Sequence, residues 1–183
     1  MVHHKWYTYG QVKQEAGQVA TKLPRLNVVL EPHLYQAIFR LSKKEGLSLS
    51  LVARDLIREA LVIYEDAFWA KEAKAREATL TKQKTLSHKQ VWGWFVPHMF
   101  EINYHPDVVK KDLPKIVHSA KQRIRKAIDV KLTNAPEEFG EPLRRTLKGY
   151  WKLRVGDYRV IYKISKAAIL ILRIGHRRDV YKS

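Results

Sequence analysis

The sequence predicts an α+β protein built from two units. Three observations predict it: apolar residues alternate over residues 25–30, they recur at helical spacing after Pro32, and three alternating segments joined by two-residue turns lie near the end of the chain. The hydrophobic fraction of 45% is ordinary for a folded protein, which argues against a disordered basic tail.

Composition narrows the classes of function. The 35 Lys and Arg residues exceed the 18 Asp and Glu residues and give a net charge of +17, which points to a polyanionic partner. The absence of cysteine excludes disulfides, thiolate zinc sites and cysteine nucleophiles, and we expect no metal and no cofactor. Apolar runs such as 167–172 are too short to cross a membrane, so we expect a cytoplasmic protein without a membrane partner.

The first unit begins with a short strand. Residues 25–30 alternate apolar and other residues, as a strand with two different faces does. Pro32 suits the first turn of a helix that Gly46 ends. Ser48 or Ser50 can cap a second helix that follows at once.

The segments around this unit are less regular. Residues 1–23 show no sustained period and are predicted to be a flexible arm. The second helix is predicted to continue to about Thr79 as a polar rod, and Ser87 is predicted to cap a short helix over residues 86–95. The large apolar side chains of these segments are Phe68, Trp69, Trp92, Trp94 and Phe95.

The second unit reads strand, helix, helix, strand, strand, strand. The predicted strands are 100–104, 150–155, 158–164 and 168–174, and the predicted helices are 106–118 and 120–132. The turns Gly156-Asp157 and Lys166-Ala167 have hairpin length. We therefore expect an antiparallel sheet packed on two helices. Most of the net charge lies after residue 98.

The order strand, helix, glycine, serine-capped helix in residues 25–61 resembles the ribbon-helix-helix family, in which two chains pair their strands. One strand and two helices cannot enclose a core alone, so a homodimer is expected. The resemblance implies that the ribbon enters the major groove of operator DNA and that the second helix holds a phosphate at its N-terminus. The implied DNA contacts are Arg25, Asn27, Val29, Ser48 and Ser50.

Residues 153–162, LRVGDYRVIY, and 174–181, IGHRRDVY, resemble the RelE toxins of the RelE and ParE superfamily. The similarity runs from about Met99 to Tyr181 and includes the order of helices and strands. It implies a small ribonuclease that enters the ribosomal A site and cuts mRNA. It also implies an antitoxin partner, often of the ribbon-helix-helix type.

Four cations are expected to crowd together on the second unit. A period of two places Lys152 and Arg154 on one face, Arg159 lies across the hairpin, and Arg177 follows the last strand. Without acidic partners this crowd repels itself, which makes sense for a phosphate site.

The resemblance implies that Lys152 is the general base, Arg159 the phosphate clamp and Arg177 the transition-state stabiliser or acid, while Tyr181 stacks on the RNA. The crowding would also make an amine easier to deprotonate, which suits a base. Tyr150 stands where the best-studied branch has a second lysine, so Arg154 or His176 is expected to share the roles.

Residues 64–98 resemble the neutralising arm of an antitoxin, with Phe68, Trp69, Trp92, Trp94 and Phe95 as anchors. Because Lys82, Lys84, His88 and Lys89 make the arm basic, we expect inhibition to rest on bulk and apolar packing more than on charge pairing. The leading hypothesis is a self-neutralised fusion: DNA-binding unit 24–63, arm 64–98 and toxin 99–183. The alternatives are a ParE-like inhibitor of DNA gyrase and a transcriptional repressor whose toxin half is inactive.

Overall fold

A computed structural model describes residues 23–80, 84–93, 100–144, 149–166 and 168–182. The predictions for residues 1–22, Lys82, Trp94, Phe95 and the turn residue Ala167 lie outside these ranges.

The described chain contains five α-helices and six strands. The helices are α1 (Pro32–Glu45), α2 (Leu49–Glu77), α3 (His88–Trp92), α4 (His118–Ala127) and α5 (Pro136–Phe139). The strands are β1 (Leu86–Ser87), β2 (Glu101–Tyr104), β3 (Glu141–Pro142), β4 (Tyr150–Val155), β5 (Tyr158–Ser165) and β6 (Ala168–His176). Short π-helical segments span Val108–Asp112 and Ile128–Leu132, and 3₁₀ turns span Leu113–Lys115 and Arg177–Tyr181.

The boundary between α1 and α2 follows the predicted signals. Pro32 starts α1, and Gly46, at a φ of 65°, ends it in the left-handed conformation that glycine adopts without strain. Ser48 rather than Ser50 caps α2, since its hydroxyl accepts a hydrogen bond from the Leu51 N–H at 3.2 Å. The 29 residues of α2 form one helix across the predicted unit boundary at residue 64.

The predicted strand over residues 25–30 is not formed in the single chain. The segment precedes α1 without pairing to any strand of the described residues, and its side chains are exposed. Val29 is 100% exposed and Leu26 is 79% exposed. An isolated strand has no partner for its backbone groups, so a two-stranded ribbon needs a second copy. The ribbon-helix-helix unit stays a prediction.

The sheet of the second unit is mixed. Its strand order is β1-β2-β6-β5-β4-β3, and β5 runs antiparallel to both of its neighbours, β4 and β6. The expectation of a wholly antiparallel sheet is wrong at one pair, because β2 runs parallel to β6. Parallel neighbours need a long connection, and here it contains the helical segments and strands β3, β4 and β5 that lie between β2 and β6.

The two predicted helices of this unit are shorter and less regular than expected. The first is replaced by the π-helical segment Val108–Asp112 and the 3₁₀ turn Leu113–Lys115, which holds Pro114 in its first turn. Proline has no N–H to donate and so does not continue a regular helix. The second begins as α4 and ends as the π-helical segment Ile128–Leu132.

Helices cover both faces of the sheet. On one face, Ile124, Ile128 and Leu132 pack on apolar residues of the strands such as Val160. On the other face, α2 places Trp69 against a second buried cluster. None of the described helices combines the length and apolar character needed to cross a membrane.

Candidate active site: a cation cluster covered by helix α2

The four predicted cations, here called the cation cluster, lie at one end of the sheet. Lys152 and Arg154 alternate on β4, and the register between β4 and β5 sets Arg154 opposite Arg159. Arg177 is the first residue of the 3₁₀ turn that follows β6. Lys152 and Arg159 are buried, with 3% and 6% of their surface exposed, whereas Arg154 and Arg177 are partly open to solvent.

Two neighbouring carboxylates of α2, Glu65 and Asp66, here called the acidic pair, occupy this cluster. Glu65 lies 3.4 Å from Arg159 Nη2 and 3.4 Å from Arg177 Nη2, and it accepts a hydrogen bond from the Tyr181 hydroxyl at 3.1 Å. Asp66 contacts Lys152 Nζ at 2.5 Å. The acidic pair itself is 5% and 0% exposed.

The second unit adds a carboxylate of its own. Glu141, on β3, contacts Arg154 Nη2 at 2.9 Å and Lys152 Nζ at 3.6 Å. The expectation that the cations lack acidic partners is therefore wrong. The acidic pair and Glu141 relieve the repulsion that the cations exert on one another.

Burial and neighbouring charges shift the pKa values of Arg159 and Tyr181. Burial lowers the pKa of the Arg159 guanidinium, and the charges of Arg154 and Arg177 lower it further, against the opposing charge of Glu65. Burial raises the pKa of the Tyr181 hydroxyl, and the Glu65 carboxylate that accepts its hydrogen bond also raises it. The buried carboxylate thus stabilises arginine as a cation and tyrosine as a neutral donor.

Trp69 of α2 is inserted next to the cluster. Its indole is 0% exposed, and a Cβ added to Gly175 on β6 would lie 2.4 Å from the indole Cη2. Glycine in a strand interior marks the close approach of another group, and here that group is the indole. Phe68 packs against it edge-on, with ring centroids 4.9 Å apart.

Further acidic residues of α2 pair with basic residues of the second unit. The pairs are Glu59 with Arg144, Glu72 with Arg173 at 3.8 Å, and Glu77 with Lys163 at 2.7 Å. The expectation that the arm contacts its target through bulk and apolar packing more than through charge is wrong for α2. The basic residues behind that expectation come after the helix, between residues 82 and 89.

In one ion pair the charges are reversed: α2 supplies the basic residue and the second unit supplies the acid. Arg76 of α2 donates to both carboxylate oxygens of Asp112, at 2.6 and 2.7 Å, and to the carbonyl oxygen of Leu172 at 2.8 Å. Arg76 and Asp112 are both buried. A bidentate pair of this kind fixes geometry as well as charge, so it sets the position of α2 along the sheet.

Tyr150, at the position of the second expected lysine, is also tied to α2. Its hydroxyl donates to the Glu77 carboxylate. Burial and this hydrogen bond raise the pKa of Tyr150 to about 12. The hydroxyl is thus held as a neutral donor to the helix.

The remaining predicted anchor that is described lies elsewhere. Trp92 on α3 donates from Nε1 to the Tyr104 hydroxyl at 3.0 Å, and His88 contacts the same hydroxyl at 2.9 Å. Tyr104 belongs to the apolar cluster on the sheet face opposite α2. Segment 86–92 therefore extends the sheet unit through β1 and does not cover the cation cluster.

The predicted DNA contacts lie apart from the site. Arg25, Asn27, Val29, Ser48 and Ser50 are all exposed. Among the described residues, none of them contacts the cation cluster.

The sequence prediction missed the acidic pair, Glu141 and the pair of Arg76 with Asp112. The acidic pair did carry a signal: Glu65 and Asp66 precede Trp69 and Ala70 by one helical turn, so acid and apolar residues share a face. Nothing in the sequence alone says which cations that face meets.

Known proteins are similar to this part of the chain. Residues 102–181, which contain the whole cation cluster and Tyr181, match the family model of the ParE toxin of the type II toxin–antitoxin system parDE. The toxin RelG of Mycobacterium tuberculosis is 42% identical over 53 residues, which cover 28% of this chain and 61% of RelG. The toxin RelE of the same organism is 40% identical over 53 residues, which cover 28% of this chain and 55% of that toxin.

The chain thus spans less than two thirds of the length of these two curated relatives. Among solved structures, a chain of the toxin–antitoxin complex RelBE2 from M. tuberculosis matches with 28% sequence identity and a TM-score of 0.37, over 44% of this chain and 99% of that chain. The family model and the two relatives thus show that the second unit is similar to toxins of type II toxin–antitoxin systems.

Proposed function

We propose that the chain is a self-neutralised toxin–antitoxin protein whose residues 99–183 form a latent, metal-independent endoribonuclease acting on mRNA in the ribosomal A site. The contact of the Glu65 carboxylate with Arg159, Arg177 and Tyr181 is the observation that supports it most. The similarity to toxins named RelE and RelG supports an enzymatic role, since RelE toxins are ribonucleases.

The cation cluster suits RNA cleavage by the substrate's own 2′-hydroxyl. Lys152 takes the proton from that hydroxyl, the 2′-oxygen attacks the phosphorus, and the bond to the 5′-oxygen breaks. Arg159 and Arg177 stabilise the negative charge that develops on the phosphorane, and Arg177 or a neighbouring donor returns a proton to the leaving oxygen. Arg154 adds positive charge, and Tyr181 positions the adjoining nucleotide.

Helix α2 acts as the inhibitor because its acidic pair takes the place of a substrate phosphate. Glu65 offers carboxylate oxygens to the same donors that a phosphate would use. While Lys152 and Arg159 are buried under α2, an RNA phosphate cannot reach them. Inhibition is therefore both ionic and steric, and activity requires that α2 leave the sheet.

The N-terminal unit is proposed to bind operator DNA as a homodimer and so to regulate its own transcription. The exposure of Leu26, Val28, Leu34 and Phe39 supports this, since these apolar side chains would form the core between two copies. Pairing of the two 25–30 segments would create the ribbon that presents Arg25, Asn27 and Val29 to the major groove.

The ribonuclease and its inhibition are tested together in the full chain. The double variant Glu65→Lys, Asp66→Lys sets two positive charges against the cation cluster and expels α2. With programmed ribosomes we expect this variant to cut mRNA in phase with the codons and the wild type to leave it intact. Adding Arg177→Ala to the variant should abolish the cuts.

The matched control is Asp55→Lys, which reverses an acid on the same helix whose ion pairs, among the described residues, are with Arg54 and Arg58. It should leave mRNA as intact as the wild type does. Intact mRNA with the charge-reversed double variant would overturn the ribonuclease proposal, provided that limited proteolysis shows α2 released.

A second candidate function is inhibition of DNA gyrase without ribonuclease chemistry. The family model that matches residues 102–181 is that of the ParE toxin, which favours this alternative. It predicts that the charge-reversed variant leaves mRNA intact and traps gyrase on broken DNA. A supercoiling assay with purified gyrase separates the two candidates.

A further inference from the structure

A groove of about 600 Å³ lies beside the cation cluster. It runs between Phe68 of α2, Lys115 after the π-helical segment, and the adjoining ends of β5 and β6 at Tyr158 and His176. The volume is in the range of sites that hold a ligand the size of a nucleotide. No residue of the cation cluster lines it, although Arg177 follows His176 directly in the chain.

The groove favours a negatively charged occupant. Within the described part of the chain, Lys115 and Arg178 form no ion pair and are exposed on its wall. The two carboxylates of the wall are already engaged: Asp112 by Arg76 and Arg173, and Asp179 by Lys182 Nζ at 3.7 Å and by the backbone N–H of His176 at 3.1 Å. The free charge at the groove is therefore positive.

Aromatic rings complete the lining. Tyr158 and His176 meet edge to face, with centroids 5.0 Å apart and planes at 79°, and Phe68 is a third aromatic residue of the lining. The His176 Nδ1 accepts a hydrogen bond from the Arg178 N–H at 3.1 Å. Because Nδ1 accepts this hydrogen bond, Nε2 is the N–H donor of the ring, and it forms no hydrogen bond within the described residues.

Cations interleaved with aromatic rings are the combination that holds single-stranded nucleic acid, because phosphates pair with the cations and bases stack on the rings. We propose that, in the latent chain, the groove binds one nucleotide of single-stranded RNA beside the cation cluster, where the acidic pair of α2 occupies the position of the phosphate. The inference rests on the proposed ribonuclease function and names a second RNA-binding subsite of the proposed enzyme. Since α2 forms one wall, the latent chain binds RNA there while the cluster stays covered.

The test uses the full-length wild type and a fluorescein-labelled RNA hexamer, with affinity measured by fluorescence anisotropy at several salt concentrations. The double variant Lys115→Gln, Arg178→Gln should bind about tenfold more weakly and with a salt dependence reduced by nearly two phosphate contacts. The matched control is Arg123→Gln, Lys126→Gln, which removes one arginine and one lysine from the exposed face of α4. It should lose far less affinity.

Cross-linking locates the base. An RNA carrying a single thiouridine is irradiated with the full chain, and adducts are mapped by mass spectrometry. Adducts at Tyr158, His176 or Phe68 are expected. Equal losses of affinity in the two double variants, or adducts confined to residues outside the groove, would overturn the proposal. Either result leaves cleavage by the charge-reversed α2 variant unaffected, so the two failures can be told apart.

Discussion

The two halves of helix α2 have opposite environments although they belong to one continuous helix. In the first half, Leu56 and Ile57 are 44% and 50% exposed. In the second half, Trp69 and Ala70 are 0% exposed, next to the buried acidic pair. The second half has its partner in the same chain, whereas the first half shows an apolar stripe that one copy leaves uncovered.

This difference shows that an amphipathic pattern predicts a helix but does not say which surface covers its apolar face. Both halves alternate apolar and polar faces at helical spacing, and both form helix. The second half differs because it carries the acidic pair, whose carboxylates contact the cation cluster. Substitutions in the second half should therefore lower the free energy of unfolding most. Substitutions in the first half should change it little.

Replacing Trp69 with alanine should have the largest effect. The indole fills the notch that Gly175 leaves on β6, so its removal opens a cavity under α2. We expect the free energy of unfolding to fall by about 3–5 kcal/mol in a urea titration. Trp69→Phe is the matched variant. Because Trp69 Nε1 has no hydrogen-bond partner among the described residues, it should lose no more than about 2 kcal/mol. Equal losses would contradict the packing argument.

Replacing Arg76 with methionine should rank second. The change leaves Asp112 buried without its bidentate partner, although Arg173 and the Ile174 N–H still contact that carboxylate. We expect a loss of about 3 kcal/mol in unfolding free energy. The control Arg58→Met, in the first half of α2, breaks an exposed pair and should cost less than about 1 kcal/mol. Similar costs for both changes would show that the Asp112 pair does not hold the helix.

Changing the first half should alter assembly rather than the sheet unit. The double variant Leu56→Ser, Ile57→Ser removes apolar side chains that face solvent in one copy. We expect unfolding of the sheet unit to change by less than about 1 kcal/mol, while light scattering shows a dimer replaced by a monomer. A wild type that is already monomeric at micromolar concentration would contradict the proposed dimer.

Protonation of Glu77 at low pH should lower the free energy of unfolding by the smallest amount of the changes considered. Burial alone would raise the pKa of Glu77, but hydrogen bonds from Lys163 and Tyr150 outweigh it and hold the pKa below the usual value of 4.5. The contribution of Glu77 to stability is therefore present above pH 4.5 and is lost as the pH falls through the lowered pKa. We expect a loss of about 0.5 kcal/mol for this partly exposed pair.

Urea titrations between pH 6 and pH 3 measure this loss, as a difference between the wild type and Glu77→Gln. The control is Glu45→Gln on α1, whose side chain is exposed. A dependence on pH that is the same in the wild type and in Glu77→Gln would contradict the assignment.

Much of the fold follows from local signals in the sequence. The turn Gly156-Asp157 joins β4 and β5 as predicted, and Gly46 ends α1, because a glycine at positive φ is a local requirement. The parallel pairing of β2 with β6 was not predictable in this way, since it depends on where a long crossover returns. The π-helical segments were missed for a related reason: their backbone departs from the α-helical period under tertiary packing.

In the candidate active site too, local features were predicted and long-range contacts were missed. The period of two correctly placed Lys152 and Arg154 on one face of a strand, with Arg159 opposite. The partners of these cations were missed, because Glu65 and Asp66 lie more than 80 residues before them in the chain. The expectation that packing would outweigh charge pairing was wrong for α2, because it rested on basic residues between 82 and 89, whereas the acidic face of α2 meets the cluster.

The central claim is that the acidic pair of α2 holds the cation cluster closed, and a double-mutant cycle tests it most directly. The free energy of unfolding is measured for the wild type, Asp66→Asn, Lys152→Met and the double variant. We predict a coupling of about 2 kcal/mol or more, as expected for buried residues in direct contact. Effects that add to within about 0.5 kcal/mol would mean that the pair makes no net bond across this interface, and would contradict the account.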